Sequence, residues 1–367
     1  MKTASFTPDL GLKEAKHGIE EGFLLRDGLY EKIFYTGARD TDLGGVNDMG
    51  EIVGTYGDYT FKDHCFLRDK DRFYTPFDMP SNLPDFQNAT NPDCNGINQG
   101  GDTVGSFSDG VTNHGWWRTA AGTFFRLDVS GGASNTEAWG INKGGDIVGS
   151  YEQTGIHGFL LSHGSGSYST IDFPNATNTH AYGINDQGDI VGSYSTATTD
   201  HGFLRRQGHW KTVDVNLADA LATNRVTGIN DHGCMVGVYT GIDTRRHGFE
   251  ASSREADGAG DEAGKNGGIA QMDFHEDDCN QQPEKEDFSD PGAGIDFHAT
   301  QVLAVTYDEV AHTVTIAGLG NNNAILPVAF TIIAVDSSAV PPGMFSISLS
   351  NGYSNSGSLL SGTITLR

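Results

Sequence analysis

Long apolar runs and helix-period patterns are absent from this 367-residue chain. Without a run of 18 apolar residues, the sequence predicts no transmembrane segment. The opening stretch MKTASFTPDLGLKEAKHG also lacks the apolar core of a signal peptide. If the protein is extracellular or on the cell surface, we therefore expect this to be the mature form, from which a signal has been removed. A cytoplasmic protein is the alternative.

Basic residues are scarce. Lys and Arg number 23 against 48 Asp and Glu, which gives a formal net charge of −25. Nucleic-acid binding requires clustered basic side chains, so we expect no nucleic-acid partner. An acidic balance favours solubility and association with cations, and it leaves the oligomeric state open.

Cysteine is rare too, with four residues and no CxxC pair. Four cysteines allow three pairings, among which the sequence does not choose. Because free cysteines are often buried as small apolar side chains, we expect free thiols. The alternative is a bond between Cys65 and Cys94, which lie in one repeat.

Glycine is abundant, with 50 residues, and much of it belongs to a repeat. GIN-type tripeptides recur every 43 to 51 residues, and each is followed by a turn of the NDQG type. An HGF-type marker recurs with them. The tripeptides begin at Gly45, Gly96, Gly140, Gly183 and Gly228, and the markers at His64, His114, His157, His201 and His247.

Each repeat contains four short β-like runs. In residues 157–194 they are HGFLL, SYSTIDF, AYGIN and DIVGSY. Four antiparallel strands in 40 to 50 residues are typical of a propeller blade. The sequence therefore predicts an all-β fold with a five-bladed β-propeller over residues 1–252, in which an N-terminal segment pairs with the last copy. A six-bladed ring and an open β-solenoid are the rivals.

The amino-acid composition changes after the last repeat. Residues 253–290 are rich in Gly, Asp and Glu and predict an acidic, weakly ordered linker. Strand signals return from residue 291, where alternation and turn residues predict a small antiparallel β-sandwich module to residue 367.

The repeat resembles the HAF family of extracellular repeat proteins. The residues that carry the resemblance are His157-Gly158-Phe159-Leu160, Thr170-Ile171-Asp172, Gly183-Ile184-Asn185 and Ile190-Val191-Gly192-Ser193-Tyr194. The resemblance covers about residues 21–252, and the first copy departs from it because Glu21 replaces the histidine. It implies a secreted or surface bacterial β-propeller and no particular activity.

Repeated polar residues are the first candidates for a site. If the five histidines faced the axis, they would form a ring of potential metal ligands. We favour a structural role, in which each histidine pairs with an aspartate that ends the next strand, because repeated residues usually serve the stack. The aspartates are Asp78, Asp128, Asp172 and Asp214, and the turn asparagines with a structural role are Asn47, Asn98, Asn142, Asn185 and Asn230.

Residues that break the repeat are more informative, because an active or binding site requires unlike environments. They include Asp93, His180, Arg245 and Arg246. As ligand-binding residues we single out, with packing between blades as the alternative role, Trp116, Trp117, Trp139, Glu137, Trp210 and Arg225.

No catalytic motif is present in the sequence, and no cofactor is required by it. A divalent cation such as Ca²⁺ would suit the hard oxygen ligands of one acidic stretch, although a solvated linker is the simpler interpretation. The weak metal candidates are His275, Glu276, Asp277 and Asp278.

Three functions remain. The first is a non-catalytic extracellular or surface protein for binding or adhesion, whose propeller loops hold a glycan or a protein ligand. The second is a hydrolase or lyase that degrades polysaccharide or another polymer at the propeller axis, an analogy of fold alone. The third is a metal-stabilised structural propeller.

Overall fold

A computed structural model gives the chain two compact units, Met1–Asp231 with Met235–Glu250, and His232–Cys234 with Ala251–Arg367. It describes residues 3–4, 22–26, 29–215, 220–277, 279, 285–308, 310–323, 325–338 and 343–366. The side chains of residues 3–4, 25–26, 220–223, 255, 276–277, 285 and 325–326 lie outside this description.

The first unit contains short antiparallel strands and one 3₁₀ helix, Pro84–Phe86. Its strands are β1 (Thr3–Ala4), β2 (Gly22–Arg26), β3 (Leu29–Ile33), β4 (Asp40–Val46), β5 (Ile52–Gly57), β6 (Asp63–Arg68), β7 (Tyr74–Phe77), β8 (Thr90–Ile97), β9 (Thr103–Ser108), β10 (Asn113–Arg118), β11 (Phe124–Leu127), β12 (Ser134–Ile141), β13 (Ile147–Glu152), β14 (Ile156–Ser162), β15 (Ser167–Ile171), β16 (Asn178–Ile184), β17 (Ile190–Ser195), β18 (Asp200–Arg206), β19 (His209–Val213), β20 (Ala220–Ile229), β21 (Cys234–Gly241) and β22 (Arg246–Ser252).

These strands form a five-bladed β-propeller arrangement, as predicted. Four blades have four strands in chain order, namely β4 to β7, β8 to β11, β12 to β15 and β16 to β19, and β20 to β22 follow in the fifth. In each blade the GIN tripeptide ends the first strand, and the HGF marker begins the third. The fold class is therefore confirmed.

The N-terminal hairpin differs from the expectation. Strand β2 pairs with β1 on one side and with β3 on the other, in a three-stranded sheet of their own. Among the described residues, neither of them pairs with the last copy. The marker sequence predicted the strands correctly, but strand pairing depends on long-range placement, which the marker does not encode.

The blade core is built from the second and third strands. In the third blade, Val148 and Phe159 are fully buried. Gly149 follows Val148 in sequence and pairs with Phe159 on the neighbouring strand. A Cβ at this position would lie 2.0 Å from the Glu137 carbonyl oxygen and 2.5 Å from the Phe159 ring. The IVG and HGF motifs are therefore complementary, because the glycine leaves room for the phenylalanine ring and for the first strand.

The first strand of each blade is the innermost, because first strands of successive blades contact one another. A Cβ on Gly140 of β12 would lie 2.8 Å from the Tyr182 carbonyl oxygen of β16. The turn asparagines join the same strands. Nδ2 of each donates to the main-chain oxygen of the next, through Asn47 to Asn98 (3.0 Å), Asn98 to Asn142 (3.1 Å), Asn142 to Asn185 (3.3 Å) and Asn185 to Asn230 (3.2 Å).

The second unit is antiparallel throughout and has one 3₁₀ helix, Lys265–Gly267. Its strands form one nine-stranded sheet in the order β30-β29-β28-β27-β26-β25-β24-β23-β31, rather than two separate sheets. They are β23 (Glu255–Ala263), β24 (Ile269–Asp277), β25 (Lys285–Asp290), β26 (Ile295–Asp308), β27 (Thr313–Asn322), β28 (Ile325–Val335), β29 (Met344–Leu349), β30 (Ser354–Ser358) and β31 (Ser361–Leu366).

The prediction of a weakly ordered linker is wrong, because residues 253–290 contribute β23, β24 and β25 to this sheet. Their buried positions belong to the same core as Phe297 and Phe345. The composition concealed the strands because several inward positions hold Ala, Gly or a carboxylate such as Glu262, which is fully buried. Composition reports average polarity, whereas alternation decides which face is buried.

The prediction of free thiols is also wrong. Cys65 bonds to Cys94 in the first unit, and Cys234 bonds to Cys279 in the second. Cys65 and Cys94 are both buried, as expected for free thiols, and burial alone therefore did not distinguish the two states. Among the described residues, no helix is both long and apolar enough to cross a membrane.

Candidate functional site

The first strands of the blades alternate in exposure. In β12, Thr136 and Ala138 are buried, whereas Glu137 and Trp139 are accessible. The same alternation occurs in β16 and, over its described side chains, in β20. Because adjacent side chains of a strand point to opposite sides, each innermost strand directs one set of side chains into its blade and the other towards the propeller axis.

One accessible position lies three residues before the glycine of each GIN tripeptide. Four residue types occupy it in the five blades, and we call these residues the axial ring: Asp42, Asp93, Glu137, His180 and Arg225. The buried residues on either side of each are uncharged in every blade, but the ring itself contains three acids, a histidine and an arginine. It breaks the repeat at the position where the repeat meets the axis.

A second accessible position follows two residues later and is held by a β-bulge. The register shifts at this point in every blade, for example between Ala138 and Gly140 in β12 and between Ala181 and Gly183 in β16. Bulges redirect the extra side chain. In these two blades the redirected residues are aromatic, Trp139 and Tyr182, and their ring centroids lie 5.5 Å apart, edge to face.

Hydrogen bonds hold the polar ends of both aromatic rings. The Trp139 indole Nε1–H donates to Ser150 Oγ over 3.2 Å, and the Tyr182 hydroxyl interacts with Ser193. Burial raises the pKa of Tyr182. Because their polar atoms are already engaged, the two rings offer apolar surface to a ligand, which suits the hydrophobic face of a sugar ring.

The acidic half of the ring lies on neighbouring blades. Desolvation and then the charge of Glu137 raise the pKa of Asp93 to about 6, although the Asp93 side chain is accessible to solvent. Burial also raises the pKa of Glu137, whose Oε1 accepts a hydrogen bond from Asn113 Nδ2 over 2.9 Å. An accessible carboxyl that is nevertheless desolvated lies in a recess of the surface.

The basic half differs in its hydrogen bonding. Burial and then the charge of Arg225 lower the pKa of His180 to about 4, so the imidazole is neutral at pH 7. His180 Nδ1 is buried and has no hydrogen-bond partner among the described residues. The half-buried Arg225 side chain likewise forms no hydrogen bond and no ion pair within the part of the chain that the structure describes.

Other predicted binding residues lie away from the axis. Trp116 is fully buried, and its Nε1 donates to the Ser106 carbonyl oxygen over 3.1 Å. Its prediction as a binding residue is therefore wrong, because no ligand reaches it. Trp117 stacks on Phe125 with centroids 4.8 Å apart, and Trp210 lies on an outer strand against Phe203 at 5.1 Å.

The histidine series occupies the third strands and does not line the axis. Each of four histidines approaches the aspartate of the next strand through Nδ1, with distances of 2.7 Å for His64 to Asp78, 2.7 Å for His114 to Asp128, 2.9 Å for His157 to Asp172 and 2.6 Å for His201 to Asp214. His247 departs from the pattern, since its Nε2 lies 3.0 Å from Asp243. A ring of axial histidine ligands is thereby excluded.

The weak metal candidates do not form a described cluster. His275 hydrogen bonds through Nδ1 to Asp257. The side chains of Glu276 and Asp277 and the whole of Asp278 lie outside the described residues. The expectation of a divalent cation here stays a prediction.

Most of the axial ring was recognised from the sequence as off-repeat residues, and structure brings these together. Asp42 and Tyr182 were missed. Aligning the five copies on their GIN tripeptides would have found both, because each occupies a column in which the copies differ.

Comparisons with known proteins add little. No family model and no curated protein matches the chain, so the HAF resemblance stays a prediction. Similar solved structures include a streptogramin B lyase (14% identity, 77% of this chain and 93% of that chain, TM-score 0.35), virginiamycin B lyase from Staphylococcus aureus (11%, 75% and 90%, 0.35) and an ulvan polysaccharide lyase (10%, 88% and 90%, 0.31). The likenesses are too weak to carry an argument about function.

Proposed function

We propose that this protein is an extracellular or surface binding protein of the HAF type, without catalytic activity, whose propeller binds a glycan at the axial ring. The observation that carries the proposal is the contrast between the recurring blade motifs and four residue types, of both charges, at one accessible equivalent position around the axis. Packing does not require these charged residues, because the buried neighbours on the same strands are uncharged in every blade. A specific ligand does.

The chemistry of the recess supports a sugar. Asp93 and Glu137 supply acceptors for hydroxyl groups, and Arg225 supplies donors. Trp139 and Tyr182 supply apolar ring surface beside them. Small-molecule sites typically combine such surface with a few placed polar groups.

The disulfides support the proposed location. Two of them account for all four cysteines, and disulfides persist mainly in oxidising compartments such as the extracellular space.

The test is a glycan array probed with the full chain, followed by titration of any ligand found. Trp139→Ala should weaken binding by about tenfold, a typical loss for an aromatic anchor, whereas the matched variant Trp210→Ala should leave the affinity unchanged. Absence of binding to every glycan, or equal losses in both variants, would contradict the proposal.

A hydrolase acting on polysaccharide is the second candidate, favoured by one observation. Asp93 and Glu137 are neighbouring carboxyls with raised pKa values, and glycoside hydrolysis uses a pair of carboxyl groups. Release of reducing ends from a bound polysaccharide, abolished in both Asp93→Asn and Glu137→Gln, would establish this candidate in place of the first.

A further inference from the structure

We propose that the axial ring binds an acidic sugar and that Arg225 and His180 hold its oxyanion, either a carboxylate or a sulfate ester. This inference rests on the proposed glycan binding and names the class of glycan. It follows from an imbalance within the ring, since Glu137 accepts a hydrogen bond from Asn113, whereas neither His180 nor Arg225 has a hydrogen-bond partner among the described residues.

The guanidinium of Arg225 is the first group of the proposed oxyanion site. Arg225 lies on β20 and is half-buried, yet no carboxylate in the described part of the chain lies within ion-pair distance of it. The nearby Asp200 carboxylate instead accepts a hydrogen bond from Ser195 Oγ over 2.7 Å. A guanidinium offers five donors in a planar fork that matches an oxyanion, and removing it from water without a partner is costly.

The imidazole of His180 is the second group of this site. His180 Nδ1 is buried without a partner, although His180 stacks on Tyr182 with centroids 5.5 Å apart and an interplanar angle of 4°. The ring is therefore fixed in orientation by stacking while its nitrogen stays unused. His180 and Arg225 occupy equivalent positions of the adjacent strands β16 and β20, which approach so closely that a Cβ on Gly183 would lie 3.2 Å from Gly228 Cα. An oxyanion would accept from both.

The charges of the ring decide the direction in which the ligand lies. Asp93 and Glu137 repel an anion, so the oxyanion is placed on the Arg225 side of the ring. The same carboxylates accept hydrogen bonds from sugar hydroxyls. Trp139 and Tyr182 lie at the boundary of the two halves, because they follow Glu137 and His180 by two residues on neighbouring strands and their ring centroids are 5.5 Å apart. A sugar ring on these aromatics would point its hydroxyls one way and its acidic group the other.

The experiment compares matched ligands on the full chain by calorimetric titration. The ligands are oligogalacturonates, sulfated oligogalactans and neutral oligogalactans of equal length. At least one acidic series should bind about tenfold more tightly than the neutral series, which corresponds to one additional charged hydrogen-bonded contact. The carboxylate and sulfate arms identify which oxyanion the site takes.

Arg225→Gln should abolish the preference for acidic ligands, because it should weaken acidic binding about tenfold more than neutral binding. The control is Arg205→Gln, a half-buried arginine 5.6 Å from the Trp210 ring centroid on an outer part of the fourth blade, and it should change neither. Equal affinity for acidic and neutral ligands, or an equal loss of both in Arg225→Gln, overturns this inference while the proposed glycan binding stands.

A second readout separates the two proposals if no oligosaccharide binds. Free glucuronate and inorganic sulfate are titrated against the His180 imidazole resonances, with Arg225→Gln as control. A saturable shift that the variant lacks supports the oxyanion site and removes the glycan function. No shift with either anion, together with no glycan binding, overturns both.

Discussion

Two positions of the innermost strands differ in what they hold. In the turn after each strand, five asparagines occupy equivalent places, and four of them donate to the next. In four of these turns the asparagine Oδ1 accepts from the main-chain N–H four residues on, at 3.0 Å for Asn47, 3.0 Å for Asn98, 2.9 Å for Asn142 and 2.8 Å for Asn185. Within the strands, three acids, a histidine and an arginine form the axial ring, and the histidine and the arginine lack hydrogen-bond partners among the described residues. Identical, satisfied residues build a repeat fold, whereas unlike, unsatisfied ones are available to a ligand.

The largest expected effect comes from Gly149, which lies on the second strand of the third blade beside the innermost strand. Gly149→Ala would place a methyl group 2.0 Å from the Glu137 carbonyl oxygen, and we expect a loss of about 3 kcal/mol or more in unfolding free energy, the upper range for overpacking. Urea unfolding followed by tryptophan fluorescence measures it. All four tryptophans lie in the first unit, so the signal reports on the propeller.

Gly164→Ala is the matched control, since a Cβ there meets no atom within 4 Å. It should leave the unfolding midpoint unchanged. If both alanine variants had the same stability, the close packing of the first and second strands would be disproved.

The next largest loss of stability is expected at the turn asparagines. Asn142→Ala removes the donor to the Asn185 oxygen and the acceptor for the Asp146 N–H. Leaving buried backbone groups without partners should cost about 2–3 kcal/mol. The same unfolding experiment tests this, with the exposed Asn88→Ala as control. Equal stability of the two variants would show that the asparagine ladder does not join the blades.

The axial ring should give opposite pH dependences in two variants. A histidine whose pKa falls to about 4 on folding contributes stability above its ordinary pKa of 6.5, and this is lost as pH falls towards 4. Asp93, whose pKa rises to about 6, gives the reverse, because folding stability increases as pH falls from 6 to 4.

Unfolding free energy measured between pH 4 and 6.5 should therefore fall more steeply towards acid in Asp93→Asn than in the unmodified chain, and less steeply in His180→Gln. The difference in slope is at most about 1.4 kcal/mol per pH unit for each group. Identical slopes in all three proteins would show that the ring residues titrate as if they were exposed to water.

The smallest effect sharpens the contrast most. Glu137→Gln keeps an acceptor for Asn113 and removes a desolvated charge, so stability at pH 7 should change by less than about 0.5 kcal/mol, while glycan affinity should fall. A stability loss as large as that of Asn142→Ala would place Glu137 among the structural residues of the repeat.

Much of the architecture was predictable because it is local. The four strands of a blade follow from alternation, and Gly188 has φ of 81° in the NDQG turn, a conformation that glycine adopts without strain. The axial ring was recognisable only in part. Glu137 and Arg225 stood out as breaks in the repeat, but Trp116 stood out equally and is buried, since a break in a repeat does not indicate which side of a strand a residue occupies.

The sequence by itself thus determined the repeat, its strands and its turns, because these depend on interactions between residues close in the chain. Tertiary structure alone decided that Asn142 joins two blades, that Cys65 bonds to Cys94, and that β23, β24 and β25 belong to a sheet. It also decided that one acidic or basic residue from each of five distant strands comes to the axis. Such proximity depends on how whole blades stack, and stacking is a property of buried surfaces far apart in the chain.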